Sequence, residues 1–334
     1  MALLMEETEK QQKREQFKKA LKDFAAELQS YVSDDAGQWS VKGFIDVFKN
    51  VYTISADTKI VSKVLEIHLF PKILSFAEKN GLKVVLAECQ NWYPDFSFVG
   101  LKDDDIKFAV DLKTTYRSTR YPGHVNGFTL GSHGAYFINR KGKKNIQFPY
   151  AEYLGHFCLG TMYTRNVSEE LSAMSVYSVA ELDSNPVAAE LGDLQKAADP
   201  ALRERLKRVE RLRSIASVVS DLRFFACEKW ELAGDQQGSK NTANIGSITW
   251  IEDVVSGNGV FKDLGEAMFD EYWMNYGNIK DSEGKTITRL EQYLKFRGLD
   301  FTKINKKKPR RIARPEQGAS RGPAEPDDEE GESQ

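Results

Sequence analysis

No run of about 18 apolar residues occurs anywhere in the 334-residue sequence, so no segment is built to cross a bilayer as a helix. The opening stretch, MALLMEETEKQQKREQFKKALKDF, offers only a handful of apolar residues before charge takes over, too few for the core of a secretory leader. A cytoplasmic protein with no membrane partner is expected. Cysteine is scarce: Cys89, Cys158 and Cys227 are odd in number and far apart, which excludes a disulfide-stapled scaffold and lacks the paired spacing of a zinc site. Buried thiols are expected. No internal repeat is found, so no repeat architecture is expected.

The chain is 41% hydrophobic and 29% charged, enough to bury one large core or two modest ones. Net charge is −2, but the last ten residues, EPDDEEGESQ, hold six acids, which leaves residues 1–324 at +4. KINKKKPRRIAR, 303–314, carries seven Lys or Arg. Residues 303–334 therefore read as a disordered tail, basic then acidic. Residues 1–22 read as a polar helical extension and 23–302 as the folded body, with an inserted helical segment at about 170–215.

Within that body, DTKIVSKVLEIHLFPKILSFAEKNG (57–81) has apolar residues at helical spacing, Asp57 or Thr58 as its cap and Gly81 as its stop. Pro71 is expected to bend or break it. KVVLAE, DFSFVG and IKFAVDLKT read as strands, with LKDDD as the turn between the last two. The stretch 200–225 reads as a charged helix.

One strand carries chemistry. In FAVDLK, Phe108, Val110 and Leu112 point one way, and Ala109, Asp111 and Lys113 the other. If PDFSF pairs with it as a hairpin, Asp95 lies beside Asp111. Two carboxylates that close repel unless a cation sits between them. Oxygen ligands with open positions suit Mg²⁺, and a lysine two residues along adds positive charge where an attacked phosphodiester develops negative charge. The alternative is an ordinary half-solvated strand bearing Asp and Lys.

Pro94-Asp95, then fifteen residues, then Asp111-Leu112-Lys113 resembles the signature of the PD-(D/E)xK nucleases. The flanking blocks DTKIVSKVLEIHLFPKI, QNWYPDFSF, VDLKTTY, FTLGSHGAYFINRKGKKNIQFPYAEYLGHFCLGTMYTR, KWELAGDQQGSKNTANIGSI and YWMNY resemble, in order, the EcoRV-like type II restriction endonucleases of that superfamily. The resemblance runs from about residue 24 to 300. It implies an α/β (α+β) fold, a restriction-endonuclease-like core in which a mixed central β-sheet is flanked by helices.

It also implies roles. Asp95 and Asp111 match metal-binding carboxylates, Lys113 the lysine that orients or helps deprotonate the attacking water, and Glu66 a further acidic residue of the active site and metal set. Gln90 and Asn91 match a loop approaching the minor groove. Gly238, Ser239, Lys240, Asn241 and Thr242 match the loop that enters the major groove, where an amide such as Asn241 can pair with an adenine edge. Thr58, Thr114 and Lys144 match positions near the DNA backbone. Lys240 and Cys89 depart from the family pattern, standing where a glycine and a glutamine are found.

The implied activity is Mg²⁺-dependent hydrolysis of double-stranded DNA at a short palindrome, GATATC being the leading expectation, to leave 5′-phosphate ends. A palindrome implies a homodimer, for which 39–54 match the dimer-forming strands. A cognate DNA methyltransferase is implied genetically. The competing readings are a structure-directed repair or recombination nuclease of the same superfamily, and an inactive DNA-binding protein.

Overall fold

The charged N-terminal stretch folds as one helix, α1 (Glu7–Val32), in the computed structural model. The structure describes residues 7–34, 37–48, 50–89, 91–166, 176–178, 215–239, 242–302 and 304. In α1, Phe17, Leu21, Phe24, Ala25, Leu28 and Val32 recur at steps of three and four and are all buried, so a polar sequence still carries a continuous apolar stripe. The expected boundary at 22/23 falls inside this packed helix. Polar composition concealed it, because a narrow stripe needs only about one apolar residue in four.

A hairpin follows, β1 (Gly43–Ile45) antiparallel to β2 (Asn50–Thr53). Next comes α2 (Thr58–Lys79), capped by Asp57, whose carboxylate accepts from the amides of Lys59 and Ile60 at 2.9 and 3.1 Å. Gly81, at φ +67°, ends it in the left-handed conformation a helix stop requires. Of the two expected outcomes, breakage does not occur: α2 runs continuously through Pro71. It sits on the exposed side while Leu69 and Ile73 are buried around it, so packing on both flanks outweighs the one backbone hydrogen bond proline removes.

Strands β3 (Leu82–Leu86), β4 (Phe96–Gly100) and β5 (Lys107–Tyr116) form an antiparallel meander. A crossover carrying β6 (Thr129–Ser132) and α3 (Ala135–Ile138) then returns as β7 (Gly155–Arg165), parallel to β5. After β8 (Val176–Ser178), which pairs with β2, comes β9 (Val219–Glu228), antiparallel to β7. The central sheet is mixed, in the order β3-β4-β5-β7-β9.

Residues 219–225 are therefore strand, not the end of the expected helix; the β-branched Val219 and the aromatic Phe224 and Phe225 favour the half-buried pleat they occupy. Residues 200–214 of that expectation lie outside the described residues. So does most of 170–215, where the described 176–178 are strand rather than helix, and nearly all of the 303–334 tail.

The rest comprises α4 (Lys229–Leu232), β10 (Ala233–Gln237), β11 (Asn244–Ser247), α5 (Ile251–Ser256), α6 (Glu266–Asn275) and α7 (Leu290–Phe296). A second sheet runs β10-β11-β6.

Two cores lie on opposite faces of the central sheet. Phe108 and Val110 of β5, Phe157 and Leu159 of β7, and Phe224 and Ala226 of β9 meet α1 and α2 on one face. There Phe17 stacks on Phe108 with ring centroids 4.1 Å apart. Ala109, Cys158, Met162, Phe225 and Cys227 face the other core, with α3, α6 and the second sheet. Cys158 and Cys227 are buried as expected, whereas Cys89 is exposed.

Candidate active site

Register brings the two aspartates together. Phe96 pairs with Val110, so extending the antiparallel ladder by one residue sets Asp95 opposite Asp111. The amide of Asp95 donates to Asp111 Oδ1 at 3.3 Å, and the amide of Leu112 donates to Asp95 Oδ2 at 2.7 Å. Lys113, on the same face as Asp111, places Nζ 3.0 Å from Asp111 Oδ2. Asp111 is only 6% exposed, and Asp95 stands at the open side of the pair.

The electrostatics follow from this crowding. Burial of its carboxyl and the charge of Asp111 push Asp95 up to about 6, with Lys113 and the Leu112 amide opposing. Burial acts to lower Lys113, but the carboxylates of Asp111 and Asp95 outweigh it and hold the ammonium protonated well above its ordinary value. A site that raises a carboxyl by like-charge repulsion is one that a cation relieves, and two carboxylates with an open side suit a hard divalent ion. The donor set fits.

Glu66 is not brought into this pair. It lies on α2 and bonds to Lys63 at 2.8 Å, and its charge reaches Asp95 only as a minor contribution. Among the described residues, no group of three or more His, Cys, Asp or Glu side chains converges to hold a metal.

The remaining positions surround the pair. Ser62 donates to the carbonyl of Thr58 at 2.6 Å and shares a short hydrogen bond with Thr114, which ties the start of α2 to β5. Lys144 is exposed on a loop whose Asn145 and Gln147 bond the backbone of Tyr93, at 3.1 and 2.9 Å. Asn91 is exposed at φ +72° beside that anchor; Gln90 lies outside the described residues.

The loop joining β10 to β11 begins at Gly238, where an added Cβ would crowd Thr129 and Gly246. Asn244 donates to Thr242 Oγ1 at 3.0 Å. Lys240 and Asn241 lie outside the described residues, so their side chains carry no geometry here. Both ends of the loop are held by His133, whose backbone amide donates to the Ala243 carbonyl at 2.9 Å and whose ring accepts from Gln237 Nε2 at 3.0 Å. Nothing in the sequence around His133 signals that role, because the contact spans about a hundred residues.

Sequence reasoning also missed Lys229. It is 2% exposed, and its Nζ lies 5.1, 5.2 and 5.6 Å from the ring centres of Tyr93, Phe137 and Tyr150. Burial pushes it down to about 8, with the Asp111 carboxylate the strongest opposing influence.

Residues 35–197 and 191–298 match the family model described as restriction endonuclease EcoRV. The chain is 30% identical over 269 residues to the type II restriction enzyme EcoRV of Escherichia coli, an alignment covering 80% of this chain and 95% of that protein.

Proposed function

The chain belongs to the EcoRV family of type II restriction endonucleases, which makes it a DNA phosphodiester hydrolase, and on that premise we propose a Mg²⁺-dependent homodimer that cuts both strands of a six-base-pair palindrome. GATATC is the first sequence to test. The observation that carries this reading is the meeting of Asp95, Asp111 and Lys113 at the junction of β4 and β5.

Asp95 and Asp111 are the residues that would hold the divalent cation, which supplies Lewis acidity at the scissile phosphate. Lys113, kept protonated by the two carboxylates, acts as a donor and counter-charge: it orients the attacking water and meets the negative charge that grows on the phosphoryl oxygens. The ends left are 5′-phosphate and 3′-hydroxyl. Glu66 contributes charge from α2 and stands outside the pair that grips the ion. Thr58, Thr114 and Lys144 take backbone phosphates, Gln90 and Asn91 the minor groove, and 238–242 the major groove.

Two-fold symmetry matches a palindrome with one site per strand. The hairpin of β1 and β2 supports it, since its tip exposes Phe44, Ile45, Val47 and Phe48. The Asp46 carboxylate fixes that tip, accepting from the amides of Phe48 and Asn50 at 2.9 Å and from Tyr52 Oη at 2.9 Å. A cognate DNA methyltransferase is the genetic partner such an activity requires.

The test is to incubate the purified protein with phage DNA and Mg²⁺ and sequence the fragment ends. Discrete ends sharing one palindrome are expected. Random nicks, or cleavage confined to junctions and mismatches, would overturn the reading.

A further inference from the structure

Lys229 is a buried cation whose ammonium forms no ion pair with an acid among the described residues. Its ammonium makes no hydrogen bond among the described residues and faces three aromatic rings. On a fourth side the chain of β6 closes in, where a Cβ added at Gly131 would stand 3.6 Å from Nζ.

The acids beside it in sequence are committed elsewhere. Glu228 pairs with Arg14, and at 3.4 Å with Lys18; Glu231 pairs with Lys18 at 2.8 Å and with Lys262 at 3.6 Å. Helix α1 thus neutralises both neighbours and leaves the Lys229 charge uncompensated. An unpaired buried ammonium is costly, and a methionine would fill the same space among rings without that cost. Stability therefore does not account for the charge.

Sheet register brings it toward Asp111, which pairs with Cys158, itself the partner of Cys227, two residues before Lys229. Tyr93, one wall of the cage, is two residues before Asp95, and Asp111 is the anion that most favours the protonated form of Lys229. We propose that Lys229 is a positioning residue for the reaction, a fixed positive charge behind Asp95 and Asp111 that weakens their grip on a divalent cation and keeps the site attractive to a phosphodiester. The proposal rests on the reading that these two aspartates hold the ion.

The two effects have opposite signs in a neutral variant, which a packing role cannot imitate. In K229M the DNA-free, full-length protein should bind Mn²⁺ about tenfold more tightly, the order of change expected when a unit like charge is removed from the neighbourhood of a dication and its effect is partly screened by solvent. Its cleavage rate at saturating Mg²⁺ should fall, while K229R stays near wild type in Mn²⁺ affinity. The experiment is calorimetric titration of Mn²⁺ into wild type, K229M, K229R and D111A, with thermal melts of each. K229Q, polar and uncharged, carries the same test if K229M does not fold. Unchanged or weaker Mn²⁺ binding in the neutral variants, with D111A unable to bind, would remove Lys229 from this role and leave the site intact. Wild-type binding in D111A would instead overturn the site on which the inference stands.

Discussion

Phe48→Glu should separate the proposed dimer into monomers without unfolding either one. Phe48 is 82% exposed, with Val47 at 90%, Ile45 at 66% and Phe44 at 50% beside it. Fully burying a phenylalanine is worth about 1.5–3 kcal/mol, so covering the exposed part of Phe48 contributes about 2 kcal/mol per protomer. In a two-fold interface the residue counts twice, which makes about 4 kcal/mol, roughly a thousandfold in the dissociation constant. Forcing the new carboxylate out of water adds to the loss. The turn itself survives, since Asp46 bonds the backbone amide of residue 48 and not its side chain. The assay is sedimentation equilibrium from nanomolar to micromolar protein, with thermal melts as the folding control. Wild-type sedimentation in both Phe48→Glu and Val47→Glu would refute the assignment of this hairpin to the interface.

Further outcomes follow from the same geometry. Asp111→Ala should abolish cleavage while metal-free DNA binding, read by gel shift, stays near wild type; retained cleavage would remove Asp111 from the site. Because the folded state holds Asp95 up at about 6, it binds more protons than the unfolded chain between the ordinary carboxyl range and about 6, and stability falls as pH rises through that window. Asp95→Asn should flatten this fall in melts with chelator, by about 1 kcal/mol once solvent screening of the open side is discounted; an unaltered pH profile would contradict the raised carboxyl. Gly160 is the register partner of Lys113, and a Cβ there would overlap the ring of buried Phe225. Gly160→Ala should therefore cost about 1–3 kcal/mol of overpacking, read as a lower melting temperature, and a variant as stable as wild type would show that Phe225 yields freely.

The parts of the site governed by short range were legible in the sequence. Period-two alternation put Asp111 and Lys113 on one face, and a short turn put Asp95 beside them, because strand register leaves little choice. The helix cap at Asp57 and the stop at Gly81 were legible for the same reason. What could not be read was set by contacts distant in sequence. Glu66 entered by resemblance alone; its carboxylate bonds Lys63 one turn away on α2. Lys229 and His133 acquire meaning only when strands more than seventy residues apart are juxtaposed. At 219–225 the sequence continues the helical spacing of the preceding charged stretch, but pairing with β7 overrides it.

The strand that carries Asp111 is a wall shared by two cores, and that bears on how the protein comes apart. Phe108 and Val110 anchor it to one side and Ala109 to the other, while β4 and β7 pair with its two edges. Local opening draws on segments with few buried contacts, and this strand has none to spare. The backbone amides of Ala109 and Val110, buried in the sheet beside Asp111, should therefore exchange their hydrogens only when the whole molecule unfolds. Loss of the carboxylate pair and loss of the fold become a single cooperative event, so any graded control of cutting has to act through the loops that meet DNA.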